Sequence, residues 1–519
     1  MREQTCDVVI IGGGTGGCAA AMAAAKMGKT VVMTEETDWI GGQFTSQAVP
    51  PDEHSWIEQF GCTSSYRNFR QSLRAYYKRN FQLRTEAAAN ERFNPGNAIV
   101  SKLCVEPRAA LAVFQDMLAP YAFSGRLAIM NRCVPVKAET DGDKVVSVTV
   151  RNTQTGDCTV LRAPYFLDAT ECGDLLPLAG VEYVTGAESQ RQTGEPNALP
   201  GDPEPLDMQS FTYCFALDYK QGEDFTIDKP RDYTFWRQYK ADFWPGHHLS
   251  WSAPKHSPVE GYSLFKRPNY FSLWEYRRVI DKELFEPGAF DSDVTLVNWP
   301  QNDYWLGPII DVGEEERQRH LEAAKQLSFS LLYWLQTEAP RPDGGAGYPG
   351  LRLRKDVVGT EDGMAMAPYI RESRRIQAEF TVLEQHLSPA VRDKAEPFAD
   401  SVGIGSYRMD LHPTSGGRAG FYNSCHPFQI PMGSMIPVRV RNLLPACKNI
   451  GVTHLTNGCY RLHPVEWNIG ESAGYLAAFC LHKGFEPAQV RNDDAKLAEF
   501  QAYLSLNGIE LSWPIIQAL

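Results

Sequence analysis

Twelve cysteines are scattered through the 519-residue chain, and no two form a C-x-x-C pair. That absence disfavours a zinc ribbon, a cysteine-ligated iron–sulfur cluster and a vicinal redox disulfide. Long apolar runs are also missing. The best candidates are broken by Lys26 and by His482-Lys483, well short of the roughly 20 residues that span a bilayer. There is no basic excess either: 51 Lys and Arg against 63 Asp and Glu leave a formal charge of −12. Such a balance argues against an extended nucleic-acid surface, and with no spanning run neither a nucleic-acid nor a membrane partner is expected. No internal repeat or low-complexity tract is present. The first strand begins almost at once, which leaves no space for a signal peptide, so a soluble cytoplasmic protein with reduced, buried thiols is expected.

What is present starts at Asp7. Val8-Val9-Ile10-Ile11 reads as a buried strand, Gly12 to Gly17 as a glycine turn, and the alanine-rich run after it as a helix. Thr30 to Glu35 reads as a second strand with a terminal acid. Each element has a role in holding a dinucleotide. Gly12 permits a tight turn, Gly14 lets backbone approach a pyrophosphate, and Gly17 lets helix pack closely on strand. The helix offers free N–H groups and its positive dipole end to phosphates. Glu35, roughly 20 residues past the turn, is placed to accept from a ribose diol.

The remaining length requires two or more intertwined domains. A Gly41-Gly42-Gln43 loop precedes a helical stretch from about Ser65 to Glu91, and a further helix starts at Pro107. Strand-like segments follow, with a hairpin turn at Asp141-Gly142-Asp143. Tyr165 to Asp168 then leads into Ala169-Thr170. Composition shifts near residue 190, aromatics crowd between Tyr233 and Tyr276, and an amphipathic helix runs from about Glu314 to Gln336. Gly451 to Leu462 reads as an irregular polar stretch, after which His463-Pro464 opens a helix.

Taken together, these motifs resemble FAD-dependent oxidoreductases of the glutathione-reductase-type fold, most closely the widespread bacterial flavoproteins known simply by that name. The residues carrying the likeness are Gly12 to Gly17 with Glu35, Gly41-Gly42-Gln43, Asp168-Ala169-Thr170, Asn298 to Asp303, Arg371 to Arg375 and Asn457 to Gly474. The resemblance implies an α/β architecture: a discontinuous Rossmann-like FAD-binding domain from residues 1–50, 95–185 and 405–485. A helical insertion (51–94), an α+β substrate cap (186–404) and a C-terminal helical tail (486–519) complete it. It further implies that Gly12, Gly14, Thr15, Gly16 and Gly17 hold the FAD pyrophosphate and Glu35 the ribose. Gly42 and Gln43 run beside the pyrophosphate and ribityl chain, Thr45 lies near the isoalloxazine, and Val134 meets adenine. Ala169 and Thr170 close over the cofactor, and the helix at His463, which carries Glu471, points its N-terminus at the flavin.

Only one dinucleotide fingerprint is visible, and no redox cysteine pair, so electrons are expected to reach flavin directly from a small organic substrate. Oxygen or another acceptor would reoxidise it. The alternatives are a flavin reduced by NAD(P)H or a partner for reductase or monooxygenase chemistry, and a noncatalytic flavin-binding or RNA-associated protein. Candidate bases are His412, His454 and His463, because imidazole suits proton removal near neutrality; Arg461 is a candidate flavin or substrate contact. Gln47, His54, Tyr66, Arg67 and Arg371 are candidate substrate contacts. No metal site is expected, and a homo-oligomer is compatible with the sequence.

Overall fold

Val8–Ile11 is four consecutive β-branched residues, all fully buried. Such a strand, apolar on both faces, belongs in the middle of a parallel sheet. In the computed structural model, which describes residues 2–254 and 258–514, it does lie there. The five-stranded sheet runs in the order Leu443–Pro445, Tyr165–Asp168, Val8–Ile11, Val31–Glu35, Leu127–Asn131, with every pair parallel. The chain leaves Val8–Ile11 toward one edge and returns to its other side only at Tyr165. The C-terminal ends of these two neighbouring strands therefore form a topological switch point, where open α/β sheets bind ligands.

Two helices cover one face. Thr15–Lys26 follows the glycine turn, and His463–Lys483 packs along it through small residues. A Cβ at Gly470 would fall 2.0 Å from the Gly16 carbonyl oxygen, and one at Gly474 would fall 2.3 Å from that of Ala20. The other face carries a four-stranded sheet, ordered Arg2–Thr5, Cys158–Arg162, Lys144–Asn152 and Cys133–Asp141. Its hairpin turns at Gly142, whose φ is +56°.

A second body of structure is built on an antiparallel sheet of Arg278–Ile280, Val294–Val297, Phe215–Tyr219 and Leu351–Leu353, packed against the long helix Glu314–Thr337. Trp236, Trp244 and Trp274 are buried in this region, and Trp251 stacks edge-on against Trp334. The aromatic run is thus chiefly packing material. All twelve cysteines are free thiols. Among the described residues no helix is long and apolar enough to cross a membrane.

Two expectations need correction. The helix expected from Ser65 to Glu91 is two helices, Ser64–Asn80 and Thr85–Ala89. Between them the backbone extends to pair with Leu284–Glu286, where Leu83 bridges Phe285 and Gln82 accepts from the Glu286 N–H. The stretch read as irregular after Gly451 contains the helix His454–Tyr460, capped by the Thr453 hydroxyl accepting from the Thr456 N–H. Its polar residues looked loop-like because their partners are distant in sequence: Asn457 donates to the Arg371 carbonyl, and Thr456 to that of Val382.

Candidate active site

A cleft of about 770 Å³ opens at the switch point, a size within the usual range for cofactor sites. Gly12, Gly14, Ala169 and Thr170 line its middle. Glu35, Cys133 and Val134 line one end, and Gly42, Ser46, Gln47, Met366–Pro368 and Ile370 the other. Gly12 (φ +103°) is tied under the Ala169 turn, where a Cβ would meet the Ala169 carbonyl oxygen at 2.3 Å. Asp168 secures that turn by accepting from the Thr170 N–H and hydroxyl at 3.0 and 2.7 Å.

These surroundings fit FAD. The helix Thr15–Lys26 starts at Gly14 with no N-cap side-chain bond and no acid of its own in the first turn; the Gly16 N–H is taken by Glu466 Oε1 at 3.2 Å, which leaves the neighbouring first-turn donors for phosphate. A Cβ at Gly42 would lie 2.8 Å from the Gly14 Cα, so both walls of the cradle must be backbone. Glu35 accepts from Gly13 N–H at 3.1 Å on Oε2 and from the Thr37 N–H and hydroxyl at 2.9 and 2.7 Å on Oε1, so Oε2 keeps a lone pair for a ribose hydroxyl. Burial pushes the Glu35 carboxyl up to about 7, against the pull of its Thr37 and Gly13 donors. Gln47 Oε1 and Glu171 Oε1, both at the cleft, are buried without hydrogen-bond partners.

Several residues expected to contact the cofactor do not line the cleft. Gly16 and Gly17 serve packing: a Cβ there would strike the carbonyl oxygens of Ala446 at 1.9 Å and Gly12 at 2.0 Å. Thr15 turns its hydroxyl to the Gly41 carbonyl at 3.0 Å, and Thr45 turns its own to Ile40 at 2.7 Å. Gln43 is fully buried and ties the loop to the long helix, donating to the Arg461 carbonyl (3.1 Å) and the Glu466 carboxylate (2.5 Å). Glu471 faces away from the cleft and accepts from the Ser65 hydroxyl at 2.6 Å.

The substrate candidates separate similarly. Only Gln47 lines the cleft. His54 points at the Gly61 carbonyl (3.0 Å), Tyr66 donates to Glu53 (2.7 Å), and Arg67 reaches Glu510 at 3.6 Å. All three belong to the packing of the 51–94 insertion.

Among the expected bases, His463 is fully buried with both ring nitrogens on backbone: Nδ1 accepts from Asp52 N–H at 3.2 Å, and Nε2 donates to the Val49 carbonyl at 3.3 Å. Burial lowers its pKa to about 4, outweighing Asp52. It is a structural, neutral imidazole. His454 binds Glu372 at 3.0 Å from both carboxylate oxygens. Burial opposes its charge, but the Glu372 carboxylate wins and the pKa is raised.

His412 is different. Its Nδ1 is 2.6 Å from Asp303 Oδ2, and its Nε2 has no closer acid than Asp410 at 3.9 Å. Asp303 is buried, and its other oxygen takes the Thr212 hydroxyl (2.6 Å) and Arg371 (2.9 Å). Burial favours the neutral acid, yet Arg371 and His412 hold Asp303 well below the usual carboxylate range. Arg371 does not line the cleft. At 1% exposure it lies behind the cleft, with Ser210 O, Thr212 and Asn298 as further partners.

Sequence reasoning missed the groups around Arg461. Arg461 is buried and bonds the Tyr369 hydroxyl (2.8 Å) and the Asp410 carbonyl (3.0 Å), with the Asp410 carboxylate at 3.7 Å. Tyr369 lies between the cleft-lining Pro368 and Ile370, so one short segment links cleft and polar cluster. Arg277 and Asp52 form a second buried pair at 3.3 Å. Neither sits in a recognisable motif; the only signal was their nearness in sequence to the Gly-Gly loop and the aromatic run.

Glu171, Cys447 and Glu466 come within 4.8 Å of one another. The Lys448 ammonium sits among them, pairing with Glu171 and lying 3.5 Å from Glu466. Lysine thus already supplies one positive charge at the place a cation would occupy.

The profile of the FAD dependent oxidoreductase family matches residues 7–504. The chain belongs to that family, is an enzyme of the oxidoreductase class, and uses FAD. No curated protein matches it. Among solved structures it is similar to a geranylgeranyl bacteriochlorophyll reductase-like protein from Thermoplasma acidophilum, with 11% identity, 98% of this chain and 85% of that one covered, and a TM-score of 0.31. It is also similar to the anhydrotetracycline hydroxylase OxyS from Streptomyces rimosus, with 11% identity, 97% and 68% covered, and a TM-score of 0.34. Against L-proline dehydrogenase from P. horikoshii the values are 14% identity, 36% and 25% covered, and a TM-score of 0.20, so the chain spans a quarter of that enzyme's length. Similarities at this level carry no assignment of reaction or substrate.

Proposed function

We propose that the enzyme oxidises a small organic substrate at a carbon bearing a hydroxyl or amine, with His412 as the base. The observation that supports this reading is the His412–Asp303–Arg371 relay beside Arg461 and Asp410. Asp303 fixes the proton on Nδ1 and leaves the Nε2 lone pair free, the tautomer a base needs. When bound, FAD would supply a two-electron acceptor for the hydride lost from the substrate C–H bond, itself to be reoxidised by oxygen or another acceptor. The O–H or N–H proton passes to His412 Nε2, and the buried Asp303 stabilises the imidazolium that results.

Anaerobic mixing of the yellow protein with alcohols and amines tests the reading through bleaching of the flavin absorbance. Bleaching by NADPH and by no such substrate would overturn it in favour of a reductase or monooxygenase.

A further inference from the structure

A second cavity, of about 180 Å³, shares no lining residue with the cleft. Segments distant in sequence enclose it: residues 187–199, the pair of strands Met409–Leu411 and Phe421–Asn423 with the turn between them, and the start of the helix His454–Tyr460. Leu199, Leu411, Phe421 and Leu455 give it an apolar wall, while Asn197 and Ala419 are exposed at its rim. Its volume is that of about six water molecules, room for a short-chain ligand.

The charged groups of the lining are paired, with one exception. Arg418 binds both Glu204 and Asp207. Glu188 takes Arg375 and the His454 N–H, each at 2.8 Å, and the His454 ring binds Glu372 at 3.0 Å. Glu195 is 1% exposed and meets no cation among the described residues. Its Oε1 accepts from the Thr453 hydroxyl at 2.7 Å and the Glu384 N–H at 2.8 Å, whereas its Oε2 has no hydrogen-bond partner. The hydroxyl oxygen of Thr414, another buried lining residue, is also without a partner. Burial pushes the Glu195 carboxyl up to about 7, against the pull of its Thr453 and Glu384 donors.

The missing cation is not a bare metal ion. A metal needs several ligand atoms converging on one point, and among the described residues only Glu171, Cys447 and Glu466 bring three such atoms within 4.8 Å. An anion would meet Glu188, Glu195 and Asp207, with Arg418 already held by two carboxylates.

We infer that this cavity is a binding site for a small primary ammonium ligand, whose –NH₃⁺ pairs with Glu195 Oε2 and whose short alkyl chain lies on Leu199, Leu411, Phe421 and Leu455. The ammonium group offsets the cost of keeping that carboxylate ionised away from water, and the chain covers apolar wall that water wets poorly. The site stands apart from the flavin and is independent of the proposed oxidation.

Calorimetric titration of the FAD-loaded enzyme with n-butylammonium tests this, with 1-butanol and butyrate as the uncharged and anionic counterparts. The ammonium should bind at least tenfold more tightly than either, and the flavin should stay yellow under anaerobic conditions. Glu195→Gln, which keeps the shape and removes the charge, should weaken binding by tenfold or more. Ala419→Trp, a change at an exposed rim position, should do so by filling the entrance, and it decides the matter if Glu195→Gln fails to fold. No binding by the wild type, equal binding of 1-butanol, or binding that survives Glu195→Gln overturns the inference. Binding that survives that change and bleaches the flavin marks the cleft as the site of the amine, and likewise overturns it.

Discussion

His412 Nδ1 stands 2.6 Å from Asp303, and Arg371 reaches the other oxygen of the same carboxylate at 2.9 Å. On the proposed role of His412 as base, Asp303 is a positioning residue that acts through it. Replacing His412 with Gln should slow anaerobic flavin reduction by about 10²–10⁴-fold while the flavin stays bound. Asp303→Asn should cost a comparable factor. Because the two act as a unit, the double variant should be no more than a few-fold slower than His412→Gln. Stopped-flow reduction with visible absorbance as the FAD control makes the measurement, and additive losses would refute the coupling.

The fold was largely legible because the elements that define it are local. A β-branched strand, a glycine turn and an acid at a fixed distance can be read within thirty or so residues, and the Val8–Ile11 sheet and the Glu35 placement follow from them. The active site was not legible in that way. His412 belongs with Asp303 and Arg371, and Arg461 with Tyr369, all through contacts between distant segments. No periodicity records which buried acid faces which arginine. His463 misled for the same reason: its proximity to a Pro-started helix was visible, but its two backbone partners at Val49 and Asp52 were not.

Gly16 and Gly470 let two helices touch backbone to backbone, since a Cβ on Gly470 would sit 2.0 Å from the Gly16 carbonyl oxygen. That neighbour cannot rotate away. Gly470→Ala should destabilise by about 1–3 kcal/mol or more through overpacking, seen as a lower melting temperature and poorer FAD retention. Gly201→Ala, where nothing lies within 4 Å and φ is not positive, should be neutral by comparison. Equal melting of the two variants would contradict the close-packing assignment.

Glu35 accepts from Gly13 and Thr37 while burial raises its pKa to about 7. A ribose hydroxyl donates best to the ionised form, so binding FAD draws that pKa down. Affinity for FAD should then rise as pH increases through about 7. Glu35→Gln presents an amide N–H₂ to one of the existing donors, and should weaken FAD by about tenfold or more. Fluorescence titration from pH 6 to pH 8 checks both effects. The variant should lose the wild-type pH dependence, and a parallel slope in both proteins would exclude Glu35 as its source.

His463 offers a stability counterpart whose pKa is shifted the other way. Its folded pKa of about 4 lies below the ordinary 6.5, because burial outweighs the Asp52 charge. Between those values the unfolded chain binds the extra proton and the native protein does not, so stability falls as pH is lowered through this window. Above pH 6.5 the contribution is fully present. The loss should reach roughly 3 kcal/mol once pH falls to the folded pKa. His463→Gln keeps one donor and one acceptor for Val49 and Asp52 but cannot titrate. The wild-type advantage in melting temperature over this variant should therefore be largest near pH 7 and shrink toward pH 4.5. An advantage that stays constant across that range would mean His463 is not held neutral in the folded protein.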